Sequence, residues 1–144
     1  MQFSTLALSS IFVALAAAAP TATSNETVCI QNLSIRDNEG LQDTSFDLQP
    51  ANVTCAASAP NLARYKVNLC GDSKYRFAIN GNNSEYTVRI YKELGPAYGL
   101  YGESDILPVY CHAGGNGIND FICSQVGNAE VLIDNGSLVD APPS

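Results

Sequence analysis

Apolar and polar residues alternate with a period of two along most of this chain, in short runs broken about every eight to twelve residues by Gly, Asn, Asp or Pro. That rhythm belongs to antiparallel strands with one face buried, and no stretch carries the 3.6-residue period of an amphipathic helix. The pattern predicts strands over 28–36, 45–48, 52–56, 66–70, 75–79, 86–92, 98–103, 107–111, 121–126 and 130–133. The fold class that follows is all-β, a compact antiparallel β-barrel or sandwich.

Within those runs the alternation assigns faces. Phe46 and Leu48, and Val53 and Cys55, point inward; Val67 and Leu69 share one face, and Tyr75, Phe77 and Ile79 follow with the same alternation. Tyr86, Val88 and Ile90 alternate with Thr87, Arg89 and Tyr91, as a half-buried strand requires. The first strand breaks parity, with Val28 and Ile30 on one face and Leu33 and Ile35 on the other, which predicts a bulge near Gln31 and Asn32. Cys29 then shares the parity of Leu33 and Ile35. The clearest hairpin is Asn80-Gly81-Asn82-Asn83-Ser84, whose residues tolerate positive φ.

The ends of the chain read differently. An unbroken small and apolar run, Leu6 to Ala19, is too short to span a bilayer and ends in alanines that suit a signal-peptidase site. Residues 1–18 are read as a signal peptide, 19–27 as a flexible leader, 28–134 as one β domain and 135–144 as a disordered tail. The seven Lys and Arg against fourteen Asp and Glu give a formal charge of −7. That balance disfavours nucleic acid and anionic membrane as partners. No second apolar stretch reaches transmembrane length, so the expected localisation is secreted and extracellular. Sequons at Asn25, Asn32, Asn52, Asn82 and Asn135 are glycosylation candidates on that route, Asn82 in the most turn-like context.

Secretion decides how the five cysteines are read. Pairing neighbours gives Cys55 with Cys70 and Cys111 with Cys123 and leaves Cys29 over. A zinc site needs C-x-x-C clusters or several histidines, and His112 is the one imidazole in the sequence. A Cys111–His112 nucleophile is disfavoured because a bridged sulfur does not attack and strand neighbours point to opposite faces. The run Gly114-Gly115-Asn116-Gly117-Ile118-Asn119 faintly matches a calcium-binding nonapeptide, with Asp120 beside it, but one copy is no repeat. Phosphate binding would need a following Lys-Ser/Thr. A tight turn whose glycines supply positive φ is the leading reading. Val131-Leu132-Ile133-Asp134-Asn135-Gly136-Ser137 resembles the turn of aspartic proteases without the second carboxylate they need. Glu103 and Asp105 read as solvated carboxylates at a strand end. No catalytic residue, cofactor or metal site is assigned, and the expectation is a protein that is not an enzyme.

A family likeness rests on these same residues. Cys111-x-Ala113-Gly114-Gly115-Asn116-Gly117-x-x-Asp120-Phe121-x-Cys123, preceded by Leu107-Pro108-x-Tyr110, together with Cys55-Ala56-Ala57-Ser58 and Leu69-Cys70-Gly71, resembles the major Alternaria allergen and related secreted fungal elicitors. The resemblance implies a compact β-barrel or sandwich with the two bridges above, in a secreted fungal protein. It implies allergens, elicitors of plant defence that bind thaumatin-like defence proteins, and carriers of small phenolic ligands, none an established enzyme. It also implies a disulfide-linked dimer, but the family's interchain cysteine precedes the first strand, whereas Cys29 falls inside the strand read as first here. A buried free thiol and an interchain bridge both stay open, hence a monomer or a homodimer.

Two function classes follow. One is a secreted, non-enzymatic effector or elicitor and potential allergen that presents a rigid surface to a host plant defence protein, with His112 and Asn116 as candidate contacts. The other is a carrier of flavonoid-like phenolics, with Tyr86, Tyr91, Tyr98, Tyr101 and Tyr110 lining its site.

Overall fold

A computed structural model describes residues 24–135 of the chain. The expected signal peptide, most of the expected leader and all but the first residue of the expected tail lie outside the described residues. Ten strands run in chain order: β1 (Asn25–Asn38), β2 (Leu41–Gln49), β3 (Val53–Ser58), β4 (Asn68–Leu69), β5 (Tyr75–Asn82), β6 (Glu85–Gly95), β7 (Tyr98–Glu103), β8 (Val109–Ala113), β9 (Asp120–Gln125) and β10 (Ala129–Asp134). Every predicted strand is present. β1 opens at Asn25, so three residues read as leader are strand; they pair with the end of β10, Asn25 opposite Asp134.

Neighbouring strands follow the order β3-β2-β1-β10-β7-β6-β5-β4, all antiparallel, in a nearly closed barrel. β1 organises it. Its first half pairs with β10 and its second half with β9, while β2 runs along the opposite edge of both. The sheet path ends at β3 and β4, where the Cys55–Cys70 disulfide joins them. A covalent bond therefore stands where a further ladder would close the barrel.

The bulge expected in the first strand is there, as a register shift between Gln31 and Ser34 with Asn32 at φ 54°. Its consequence reverses one sequence expectation. The extra residue turns the second half of β1 over, so Val28, Ile30, Leu33 and Ile35 all face the core. Cys29, which shares parity with Leu33 only if the strand is regular, instead lies on the outer face, half-buried and unbridged. Its Sγ is 3.8 Å from Glu130 Oε1 on β10. Of the two alternatives left open for Cys29, this position does not fit a buried thiol.

Inward residues of the strands fill the interior, among them Phe46 and Leu48 of β2, Phe77 and Ile79 of β5, Tyr86, Val88 and Ile90 of β6, and Val131 and Ile133 of β10. Phe46 and Phe77 meet edge to face, centroids 5.1 Å apart, so β2 and β5 touch through the core. Val67 and Leu69 do not join it: both are exposed, since β4 is two residues long and ends the sheet beyond the seam. The β5–β6 connection is a two-residue turn with Asn83 and Ser84 both at positive φ, the geometry that follows the strand twist.

Candidate functional site

Two surfaces stand out, and the first is the loop between β8 and β9. Cys111 and Cys123 face each other in register across these strands and are bridged, so the loop base is fixed covalently. Its interior is built on Asp120, whose side chain is wholly buried. The Asp120 carboxylate accepts bonds from Arg36 Nε at 3.3 Å and Nη2 at 3.1 Å, and from the Asn116 amide at 2.9 Å. The Gly114 amide donates to the Asp120 carbonyl at 2.7 Å, and the Asp120 amide to Gly117 at 3.4 Å. Hydrogen bonds from Arg36 first, with the Asn116 amide adding to them, hold the Asp120 carboxyl below its ordinary value despite its burial.

This geometry gives the glycines separate jobs. Gly115 and Gly117 take φ of 93° and 126°, as expected of the turn. Gly114 is required by space: a Cβ there would lie 2.4 Å from Asp120 Oδ2. The calcium-like reading fails on the same contact, because the Arg36 guanidinium is bonded to the carboxylate such a site would use. Among the described residues no cluster of three His, Cys, Asp or Glu side chains is placed to hold a metal.

What the loop presents outward is apolar at its tip. Ile118 is 90% exposed, flanked by exposed Asn116 and Asn119. His112 on β8 and Asn116 are both exposed, where the sequence placed them as candidate contacts. Neither Ile118 nor Arg36 was singled out from the sequence. A lone isoleucine within a Gly- and Asn-rich run is the signal that could have marked the tip. Nothing local marks Arg36, which reaches Asp120 from 84 positions away.

The second surface is a groove of about 820 Å³ along β6 and β7, lined by Tyr91, Tyr98 and Tyr101 together with Val67, Arg76 and Asp134. Tyr91 and Tyr101 stand opposite each other across the two strands, ring centroids 5.2 Å apart and tilted by 47°. Burial raises the titration of both phenols above the ordinary tyrosine value. Arg76 and Lys92 at the wall are ion-paired with Glu93 and Glu26. The Tyr75 hydroxyl also donates to Glu26, at 2.5 Å.

Three of the five sequence-nominated tyrosines therefore meet at one groove and two do not. Tyr110 sits exposed on β8, outside the groove lining. Tyr86 is 1% exposed in the core and donates its hydroxyl to Asp37 Oδ2 at 2.8 Å. The five sequon asparagines are exposed; Asn32 donates its amide to Asp47 Oδ2 at 2.9 Å, and Asn135 borders the groove. Glu103 pairs with Arg89 Nε at 2.9 Å, while Asp105 is exposed.

Comparison with known proteins agrees with this architecture. The family model described as Alternaria alternata allergen 1 matches residues 30–123. The effector protein PevD1 of Verticillium dahliae is 36% identical over 99% of this chain and 98% of its own length. The major allergen Alt a 1 of Alternaria alternata is 30% identical over 92% of this chain and 96% of its own. A crystal structure of Alt a 1 superposes with a TM-score of 0.63 at 27% identity, covering 81% of this chain and 95% of that one. The matched stretch contains both cystine bridges and the glycine loop of this chain, and on that match this chain belongs to the Alternaria alternata allergen 1 family.

Proposed function

We propose that this chain is a secreted, non-enzymatic effector-type protein that acts by binding a host plant defence protein of the thaumatin-like type. One observation carries the reading: an apolar residue, Ile118, stands almost fully exposed at the tip of a loop fixed by a disulfide at its base and by Asp120 within. Burying such a tip on a partner gains apolar contact without the cost of ordering the loop. The chain's charge of −7 would steer it toward a basic partner. The similarity to an effector and an allergen adds support at the level of class. The test is calorimetric titration with a purified thaumatin-like protein. Saturable binding by the wild type, weakened at least about tenfold in Ile118→Asp, is expected; a tenfold loss corresponds to about 1.4 kcal/mol. Binding unaffected by Ile118→Asp would reject the loop as the contact, and no binding would reject the partner class.

A second reading has its own observation. The groove joining Tyr91, Tyr98 and Tyr101 has the volume and aromatic lining of a site for a flat phenolic ligand. Flavonoid titration should quench tyrosine fluorescence, and Tyr98→Ala should remove most of that quenching. Cys29 bears on assembly: its half-exposed thiol faces outward, where a second chain could reach it. Electrophoresis of the secreted protein with and without reductant decides between monomer and bridged homodimer.

A further inference from the structure

We propose that Tyr91 and Tyr101 form an oxidative coupling site, at which a haem peroxidase with hydrogen peroxide joins the two rings through a carbon–carbon bond and staples β6 to β7. The extracellular setting rests on the secreted reading above; the chemistry does not.

Of the seven tyrosines, five are unsuited to such coupling within one molecule. Tyr86 and Tyr75 are buried, and their hydroxyls are bonded to Asp37 and Glu26. Tyr65 is capped by the Arg89 guanidinium, 3.6 Å from its ring centroid. Tyr98 and Tyr110 are 62% and 67% exposed and make no ring contact with another tyrosine, so they can couple only between molecules. Tyr91 and Tyr101 differ from all five. They are directly opposed in register, their rings are already in contact, and both open onto the groove.

The chemistry needs little more than that placement. The peroxidase abstracts one hydrogen atom from each phenol, and the two phenoxyl radicals carry spin at their ortho carbons. Coupling forms one ortho–ortho bond; the two ortho hydrogens return to the oxygens as the rings regain aromaticity. The chain loses two hydrogens and one hydrogen peroxide becomes two waters. Effective concentrations even for flexibly linked groups reach the millimolar range, so at about 10 μM protein the opposed pair should outpace coupling between molecules by at least ~100-fold. The product would fix one wall of the groove.

The test treats the secreted chain at about that concentration with a haem peroxidase and one equivalent of hydrogen peroxide, a free tyrosine peptide in a parallel tube reporting oxidant activity. The expected result is a monomer lighter by two hydrogens with blue dityrosine fluorescence. Trypsin cuts after Arg89 and Lys92, so the linkage appears as Ile90-Tyr91-Lys92 joined to the peptide that begins at Glu93. Tyr101→Phe, a variant that keeps the ring, should abolish the monomer signal, and Tyr110→Phe should leave it. The proposal is overturned if the free peptide couples while the monomer mass is unchanged, if dityrosine appears only in covalent oligomers, or if Tyr101→Phe retains the fluorescence.

Discussion

Replacing Tyr86 with phenylalanine removes one buried hydroxyl. The ring would keep its place in the core, while the hydroxyl that donates to Asp37 Oδ2 at 2.8 Å would be gone. Asp37 is 6% exposed, and its other oxygen accepts only the Gly40 amide, at 3.0 Å. Losing the phenol therefore leaves a buried carboxylate oxygen short of a donor. Hydrogen bonds to charged groups contribute about 1.5–3 kcal/mol, so Tyr86→Phe should cost about 2 kcal/mol. At about 4 °C per kcal/mol, where the ranges for smaller and larger domains meet, the melting temperature should fall by roughly 8 °C. Urea unfolding followed by circular dichroism measures it: the midpoint should drop with the slope unchanged. A change below about 0.5 kcal/mol would refute the reasoning, because that is the range of surface substitutions. The same variant should leave any phenolic binding unaltered, since Tyr86 lies outside the groove lining.

Other perturbations probe different parts of the frame. Removing Cys55 and Cys70 together should cost about 3 kcal/mol on the chain-entropy model for a separation of 15 residues, read by the same urea titration. Gly102→Ala would place a Cβ 2.1 Å from the Leu132 carbonyl, where β7 meets β10, and should destabilise by at least about 2 kcal/mol in thermal unfolding. The depressed Asp120 carboxyl contributes stability that is fully present above the ordinary aspartate value and is lost as pH falls through its lower folded value. The Asn116 amide proton shift should therefore titrate with a midpoint below the ordinary aspartate value, and Asp120→Asn should abolish that titration.

The strands were legible because each needs only its own alternation, and a period of two survives wherever one face is buried. The bulge was legible too, but its effect was not. Placing Cys29 on the parity of Leu33 did not carry the bulge through, and the extra residue at Asn32 sends Cys29 outward while keeping Val28 and Leu33 together in the core. Tyr86 fits the same lesson in reverse. Its inward parity with Val88 and Ile90 was plain in the sequence, and grouping it with the groove tyrosines overrode that parity. The loop's glycines and cysteines announced a stapled turn, yet what holds its middle is Asp120 bonded to Arg36, a contact between strands adjacent in the sheet but 84 positions apart in sequence, which no local pattern encodes. The tyrosine groove likewise depends on β6 and β7 setting Tyr91 against Tyr101, a register that only the folded sheet fixes.

In the proposed function, the rigid loop between Cys111 and Cys123 is the surface that meets a partner. Cross-saturation NMR on labelled chain, mixed with an unlabelled thaumatin-like protein, measures this directly. Signal loss should centre on Ile118, Asn116 and His112. A footprint confined to the opposite side of the barrel, or no footprint at saturating partner, would contradict it.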